Sequence, residues 1–219
     1  IGALALRDPP APSATVLDRA VHAPTAAMQD DRLTSPSRTT GFVRTRMRTI
    51  AGLGARTIRV DLRWDLVASS PPAGTTGDPD DPSYDWTVYD RSVSEAARAD
   101  LEVFFTVWGT PGWAVDPAVG PVAGDPEWGN RRPRDPAEFG AFATAAVARY
   151  SPRGVRSWEV WNEPNMDMFL RPQYERRGAS WVAVGPEPYA ALLAAFARGA
   201  ASAGPAARIV LGGLAPVGG

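Results

Sequence analysis

Hydrophobic residues along this chain alternate between two periods. Residues 57–62 (TIRVDL) are hydrophobic at every second position, which is typical of a strand with one buried face. The almost unbroken apolar run at 101–108 predicts a strand covered on both sides, and further strands are predicted at 155–161 and 208–214. Between these strands, hydrophobic residues recur every three or four positions. This spacing predicts helices over about 40–53, 86–97, 135–150 and 189–200.

The regular alternation of strands and helices predicts a parallel sheet, because each helix carries the chain back to start the next strand in the same direction. Such a sheet is either an eight-stranded barrel or an open, doubly wound sheet. An open dinucleotide-binding sheet would carry a G-x-G-x-x-G turn, and the sequence has none. Polar and aromatic residues instead gather just after strand ends, where barrel enzymes keep their sites. These residues are Trp64, Trp108, Trp113, Asn162 and Glu163.

We therefore predict an α/β fold, a partial (β/α)8 TIM barrel with about five parallel strands and intervening helices. The Pro-rich residues 1–14 are interpreted as a lead or linker, and 15–219 as an incomplete barrel domain. The first barrel strand is expected within 15–23. The 219 residues suffice for one sizeable core and are too few for two ordinary domains.

The composition of the chain argues against several classes of partner and site. The net charge of -1 argues against a nucleic acid or an anionic membrane as partner, and no apolar run approaches the roughly 18 residues of a membrane span. The chain has no cysteine and a single histidine, His22, which disfavours thiolate or multi-histidine metal sites and a cysteine nucleophile. We expect no cofactor, no metal requirement and no obligate protein partner.

The strongest chemical signal is the octapeptide W-E-V-W-N-E-P-N at 158–165. It places the amide of Asn162 beside the carboxyl group of Glu163 where an apolar run stops. Pro164 then prevents the strand from continuing and keeps Glu163 out of helical geometry. Apolar surroundings favour the protonated form of a carboxylic acid, which is what a general acid needs at neutral pH.

The pattern resembles the retaining glycoside hydrolases built on (β/α)8 barrels, the clan that includes families 5, 10 and 39. W-N-E-P resembles the signature of the clan's fourth strand, and G-A-R-T-I-R-V-D-L-R-W (54–64) its second. T-V-W-G-T-P-G-W-A (106–114) is similar to the third strand and its loop, and L-G-G-L-A-P (211–216) to the fifth. The resemblance covers about residues 40–216, with the pieces in the same order.

This resemblance implies a role for three residues. Glu163 aligns with the general acid/base, and Asn162 with the residue that hydrogen-bonds the sugar 2-hydroxyl. Arg59 aligns with the arginine that keeps the nucleophile ionised. The clan's nucleophile lies on strand seven, and this sequence is expected to reach about strand five. Retaining hydrolysis of a β-linked oligo- or polysaccharide is therefore expected of the full-length parent.

Sugars stack on aromatic rings, so Trp108, Trp113 and Trp64 are candidate substrate contacts, with His22 as a further candidate after strand one. Trp161 is expected to pack in the core, and Glu159 to be a buried barrel carboxylate paired with an arginine. The alternative function is a non-catalytic, carbohydrate-binding barrel that keeps the tryptophan cleft. A metal-assisted lyase is disfavoured, because the sequence lacks histidine partners for a metal.

Overall fold

The computed structural model describes residues 26–73, 77–121, 129–204 and 206–216, and shows a five-stranded parallel sheet with interleaved helices. The sheet strands are β1 (Ala27–Gln29), β2 (Thr57–Arg63), β3 (Glu102–Trp108), β4 (Ser157–Val160) and β5 (Arg208–Leu211). The long helices are α1 (Thr40–Gly52), α2 (Thr87–Arg98), α3 (Pro136–Tyr150) and α4 (Pro186–Ala203). Shorter helical segments are Asp31–Thr34, Trp64–Val67, Gly112–Ala114 and Ser151–Arg153.

The strand order in the sheet is the strand order in the chain, β1 to β5, and every neighbouring pair is parallel. A doubly wound sheet reverses its strand order at a switch point, where the chain crosses to the other face. This sheet has no such reversal, so it winds in one direction as the successive strands of a barrel do. The predicted fold class is confirmed.

The two faces of β2 separate the core from the inner side of the sheet. Ile58, Val60 and Leu62 are buried, while Arg59 and its i+2 neighbours remain partly exposed. The period-two pattern had predicted this division. It places the charged side chains of β2 on the face opposite the helices.

Aromatic rings fill much of the space between sheet and helices. Trp64 lies against Phe139 and Phe142 of α3, with ring centroids 5.4 and 6.0 Å apart. Trp158 of β4 packs on Phe105 of β3 at 5.5 Å. Aromatic pairs at these separations add to the stabilisation from burial alone. Trp64 and Trp158 therefore belong to the packing of the core.

The first strand differs from the prediction. The predicted interval 15–23 lies outside the described residues, and the strand that pairs with β2 is Ala27–Gln29. All three residues of β1 are exposed, so they carry no hydrophobic alternation by which a sequence pattern could identify them. The antiparallel hairpin formed by Tyr174–Arg177 and Ser180–Ala183 was missed for the same reason.

Helix boundaries follow the capping residues. Asp135, the first residue of the D-P-A-E sequence at 135–138, caps α3 by accepting a hydrogen bond from the Ala137 amide at 2.8 Å. Thr39 caps α1 in the same way, accepting from the Phe42 amide at 3.2 Å. None of the helices within the described ranges is both long and apolar enough to cross a membrane.

Helices α3 and α4 approach each other closely at two glycines. A Cβ at Gly199 would collide with the backbone carbonyl oxygen of Gly140, and a Cβ at Gly140 would lie 2.8 Å from that of Ala195. Gly199→Ala is therefore expected to lower the free energy of unfolding by about 1–3 kcal/mol through overpacking. The measurement is the midpoint of urea unfolding.

The matched control is Gly52→Ala in the last turn of α1, where an added Cβ meets no atom within 4 Å. Alanine has the higher helix propensity, so this variant should be neutral or more stable by up to about 1 kcal/mol. Equal effects of the two substitutions would contradict the close crossing of α3 and α4.

The carboxylate of Asp30, directly after β1, is expected to make the stability of the fold depend on pH. Hydrogen bonds from Arg32 lower the pKa of Asp30 to about 2 against the opposing effect of burial, and Arg46 adds to the lowering. A carboxylate with a depressed pKa stabilises the fold above its unfolded pKa of 3.8, and this stabilisation is lost as the pH falls towards 2. Asp30→Asn should lower the unfolding free energy by about 1 kcal/mol at pH 7.

The difference between the wild-type chain and Asp30→Asn should shrink between pH 4 and pH 2, as measured by urea unfolding at a series of pH values. Glu102→Gln, at an exposed position of β3, is the control for a general loss of negative charge. If the wild-type chain stays more stable than Asp30→Asn by the same amount down to pH 2, the ion pairs of Asp30 are not the source of the difference in unfolding free energy.

Candidate functional site

A cleft of about 410 Å³ opens at the carboxyl ends of the first four strands. Every one of these strands, or the segment directly after it, contributes to the wall. The lining residues are Gln29, Asp31, Thr34, Asp61, Arg63, Leu66, Trp108, Asn162 and Phe169. This is the edge at which barrel proteins bind their ligands.

Arg59 of β2 lies beside this cleft and joins three strands. Its Nε donates to Oε2 of Glu159 at 2.9 Å, and its Nη2 lies 2.8 Å from the same oxygen. Nη1 donates to Gln29 at 2.6 Å and to Asp61 at 3.1 Å. Nη2 also donates to Oδ1 of Asn162 at 2.9 Å. A guanidinium group has five N–H donors; four of them make these hydrogen bonds, and Nη2 also makes the ionic contact with Glu159.

Glu159 is the buried anion behind this arginine, as its sequence context predicted. Its carboxylate is 9% exposed. Besides Arg59, Oε2 accepts the hydroxyl hydrogen of Thr106, and Oε1 accepts from the amide of Gly213 at 3.0 Å. Glu159 therefore connects β2, β3, β4 and the segment after β5.

The contact with Arg59 fixes which way the Asn162 amide points. A guanidinium group can only donate, so the atom of Asn162 that faces it must be the carbonyl oxygen. The NH₂ group of Asn162 is thereby left for other partners, and Asn162 lines the cleft. The site therefore offers a hydrogen-bond donor to a ligand at this position.

Glu163 follows Asn162 on a strained turn. Trp161 and Glu163 have φ angles of 72° and 39°, a region that L-residues rarely adopt. The buried Trp161 holds the turn, since its backbone amide donates to Val107 at 2.8 Å and its indole N–H to Phe169 at 2.7 Å. Such strain persists only where the surroundings enforce it, and it is typical of functional sites.

The carboxylate of Glu163 is partly exposed and, within the described ranges, receives no side-chain hydrogen bond or ion pair. Glu163 lies next to Asn162 in the chain but does not itself belong to the wall of the 410 Å³ cleft. The group that was predicted to move protons is therefore not neutralised by an arginine, in contrast to Glu159.

Among the predicted sugar-binding tryptophans, Trp108 is the one in the cleft wall. Its ring is 4% exposed; the guanidinium of Arg63 lies 4.1 Å from the ring centroid and Phe169 packs against it edge-on at 5.3 Å. Arg63 is in turn paired with Asp65. Trp108 is therefore a packed part of the cleft wall rather than an open stacking platform.

The other predicted substrate contacts lie elsewhere. Trp64 is 1% exposed inside the core, so its ring offers no face to a sugar in this structure. Trp113 packs edge-to-face on Trp64 at 5.8 Å and donates its indole N–H to the carbonyl of Ala68. Both line a separate cavity of about 230 Å³ beside α3. His22 lies outside the described residues.

Several cleft residues were missed by sequence reasoning. Asp61 shares the strand face of Arg59, so the period-two pattern contained the signal for it. Burial raises the pKa of the Asp61 carboxyl group, and the charge of Arg59 opposes that effect. Gln29 gave no signal, because β1 itself was not recognised. Within the described part of the chain, no cluster of three His, Cys, Asp or Glu side chains is placed to hold a metal ion.

Solved structures of glycoside hydrolases share this fold. A family 39 glycoside hydrolase from Bacteroides cellulosilyticus WH2 matches with a TM-score of 0.55 and 19% identity, over 85% of this chain and 31% of that one. A monomeric β-xylosidase from Caulobacter crescentus CB15 matches with a TM-score of 0.56 and 22% identity, over 84% and 34%. Thermotoga maritima Cel5A, solved with cellobiose, matches with 0.54 and 16%, over 87% and 55%.

No protein-family model matches the sequence, and neither does any curated protein. This chain spans about a third of the length of the first two structures and about half of the third. The comparisons therefore show a fold: the chain has the architecture of part of a TIM barrel, as found in glycoside hydrolases of families 39 and 5.

Proposed function

We propose that this chain carries the acid/base half of the active site of a retaining glycoside hydrolase acting on a β-linked oligo- or polysaccharide. The observation that carries the proposal is the Asn162–Glu163 pair on a strained turn at the carboxyl end of β4. The barrel fold shared with glycoside hydrolases supports it. Function is argued from the site, because the same fold hosts many activities.

In this proposal Glu163 protonates the glycosidic oxygen as the bond to the leaving group breaks, and later accepts a proton from the attacking water. Its freedom from any ion pair among the described residues supports this role, because a carboxylate neutralised by an arginine would be a poor proton donor. The second carboxylate must stand about 5–5.5 Å away to attack the sugar. By resemblance it lies on the seventh barrel strand, whereas the described sheet has five.

Asn162 and Arg59 complete the proposed half-site. The NH₂ group of Asn162 donates to the sugar 2-hydroxyl, with its orientation set by Arg59. Arg59 could bind a nucleophile carboxylate by exchanging one of its present acceptors, of which Gln29 and Asp61 both lie in the cleft wall. Trp108 forms the wall beside the sugar, and Trp113 and His22 stay candidates for contacts further from the cleavage point. Trp64, which is buried in the core, is no longer a candidate.

Glu163→Gln tests the proposal in the whole protein. The amide cannot donate a proton to a leaving oxygen, so kcat on unactivated β-glycosides should fall by about 10²–10⁴-fold. Substrates with strongly acidic aryl leaving groups need little proton donation and should lose much less in the first step. The measurement is steady-state kinetics on both substrate types.

The control is Glu187→Gln, at an exposed position in the first turn of α4, which should leave both rates unchanged. Full activity of Glu163→Gln on unactivated glycosides would overturn the assignment. A wild-type protein that binds an oligosaccharide but hydrolyses no glycoside would instead support the non-catalytic, carbohydrate-binding alternative.

A further inference from the structure

Glu159 is a buried carboxylate at the site, and the proposed reaction assigns it no role. Its two oxygens receive hydrogen bonds or ionic contacts from Arg59, Thr106 and the amide of Gly213. A second buried carboxylate with an arginine partner lies away from the cleft. Glu95 of α2, with its side chain 4% exposed, is bound by Arg44 on the outer face of the fold, with Arg98 3.6 Å away.

We infer that Glu159 is a positioning residue: through Arg59, it holds the Asn162 amide in the orientation that presents its NH₂ group to the sugar. This inference rests on the proposed function for its substrate. The chain of contacts is short, since Glu159 holds Arg59 at 2.9 Å and Arg59 holds Asn162 at 2.9 Å.

The orientation needs a cause, because the two ends of a primary amide have nearly the same shape. Within the described residues, the hydrogen bond that distinguishes the two ends of Asn162 is the one from Arg59. Arg59 itself is partly exposed, with its side chain 21% accessible, and a long side chain at such a position has several rotamers available. The contact of both Nε and Nη2 with Oε2 of Glu159 selects one of them.

Glu159→Gln breaks this arrangement at almost constant volume. The carboxylate has one oxygen facing Arg59 and Thr106 and the other facing the Gly213 amide. A glutamine has one acceptor oxygen, so its NH₂ group must face donors on one side or the other. If the NH₂ group faces Arg59 and Thr106, Arg59 loses its acceptor. If it faces Gly213, the segment after β5 is pushed away, and Arg59 is left with a neutral oxygen in place of an anion.

The first test compares a β-glycoside with its 2-deoxy analogue in the whole protein. If Glu159 acts through Asn162 on the 2-hydroxyl, Glu159→Gln should lower kcat/KM on the 2-hydroxy substrate by about 10- to 100-fold. The rate on the 2-deoxy substrate should hardly change, because that substrate lacks the group that Asn162 contacts. A loss by the same factor on both substrates, or no loss on either, would overturn the inference.

Two further variants serve as controls for this test. Glu95→Gln removes an equally buried, arginine-bound carboxylate away from the cleft, and it should affect both substrates alike. Thr106→Val keeps the charge of Glu159 and removes one of its hydrogen bonds, so it should give a smaller loss that is still confined to the 2-hydroxy substrate. If Glu159→Gln does not fold, Thr106→Val decides the question by the same criterion.

A second measurement does not depend on activity. In ¹⁵N-labelled protein, the Nε–H of Arg59 and the NH₂ of Asn162 should give resolved, slowly exchanging signals in the wild type and in Glu95→Gln. Glu159→Gln should speed the exchange of the first and shift the second, whereas unchanged signals would refute the positioning role. Absence of glycoside hydrolysis by the wild-type protein would instead count against the proposed function.

Discussion

The ion pair between Arg59 and Glu159 is the interaction on which the candidate site depends. It lies on the inner face of the sheet and, through their further partners, joins β1, β2, β3, β4 and the segment after β5. Taking both charges out of water is costly, and a buried ion pair is seldom more stabilising than well-packed apolar residues. The ion pair is therefore better explained by the orientation that it imposes on the Asn162 amide than by a contribution to the stability of the fold.

The two glutamates of the octapeptide illustrate how position decides chemistry. Glu159 lies within β4 and is neutralised by Arg59. Glu163 lies four residues later on a strained turn, partly exposed and outside that network. Two carboxyl groups in dissimilar surroundings can take dissimilar roles: Glu159 is the anion of an ion pair, and Glu163 is the group that we propose as the proton donor.

The tryptophans also fall into two groups, those buried in the core and Trp108 in the wall of the cleft. Trp64, Trp158 and Trp161 are buried between the sheet and the helices, where they determine how β2 and β4 sit against α3 and α4. Trp108 alone of the predicted set reaches the cleft wall, and there it is held by Arg63 and Phe169. The cleft therefore combines a packed aromatic wall at Trp108 with the NH₂ group of Asn162, whose orientation is set by Arg59.

Local patterns determined most of the fold. The period-two run of β2, the apolar run of β3 and the D-P-A-E cap of α3 each depend on neighbouring residues, so they can be recognised without a structure. The octapeptide likewise placed Asn162 and Glu163 at a strand end. The exposed β1 and the exposed hairpin after β4 lack any such periodicity, and they became visible only in three dimensions.

Tertiary structure alone decided which side chains meet. The contacts from Arg59 to Glu159 and to Asn162 span 100 and 103 residues of sequence, a separation over which no local pattern carries information. The same holds for Trp64 and Trp113, which stand after strand ends as a ligand-binding residue would but turn away into a cavity beside α3. The sequence by itself established which residue types stand at the strand ends, and the pairing of the strands into one sheet decided which of them share one cleft.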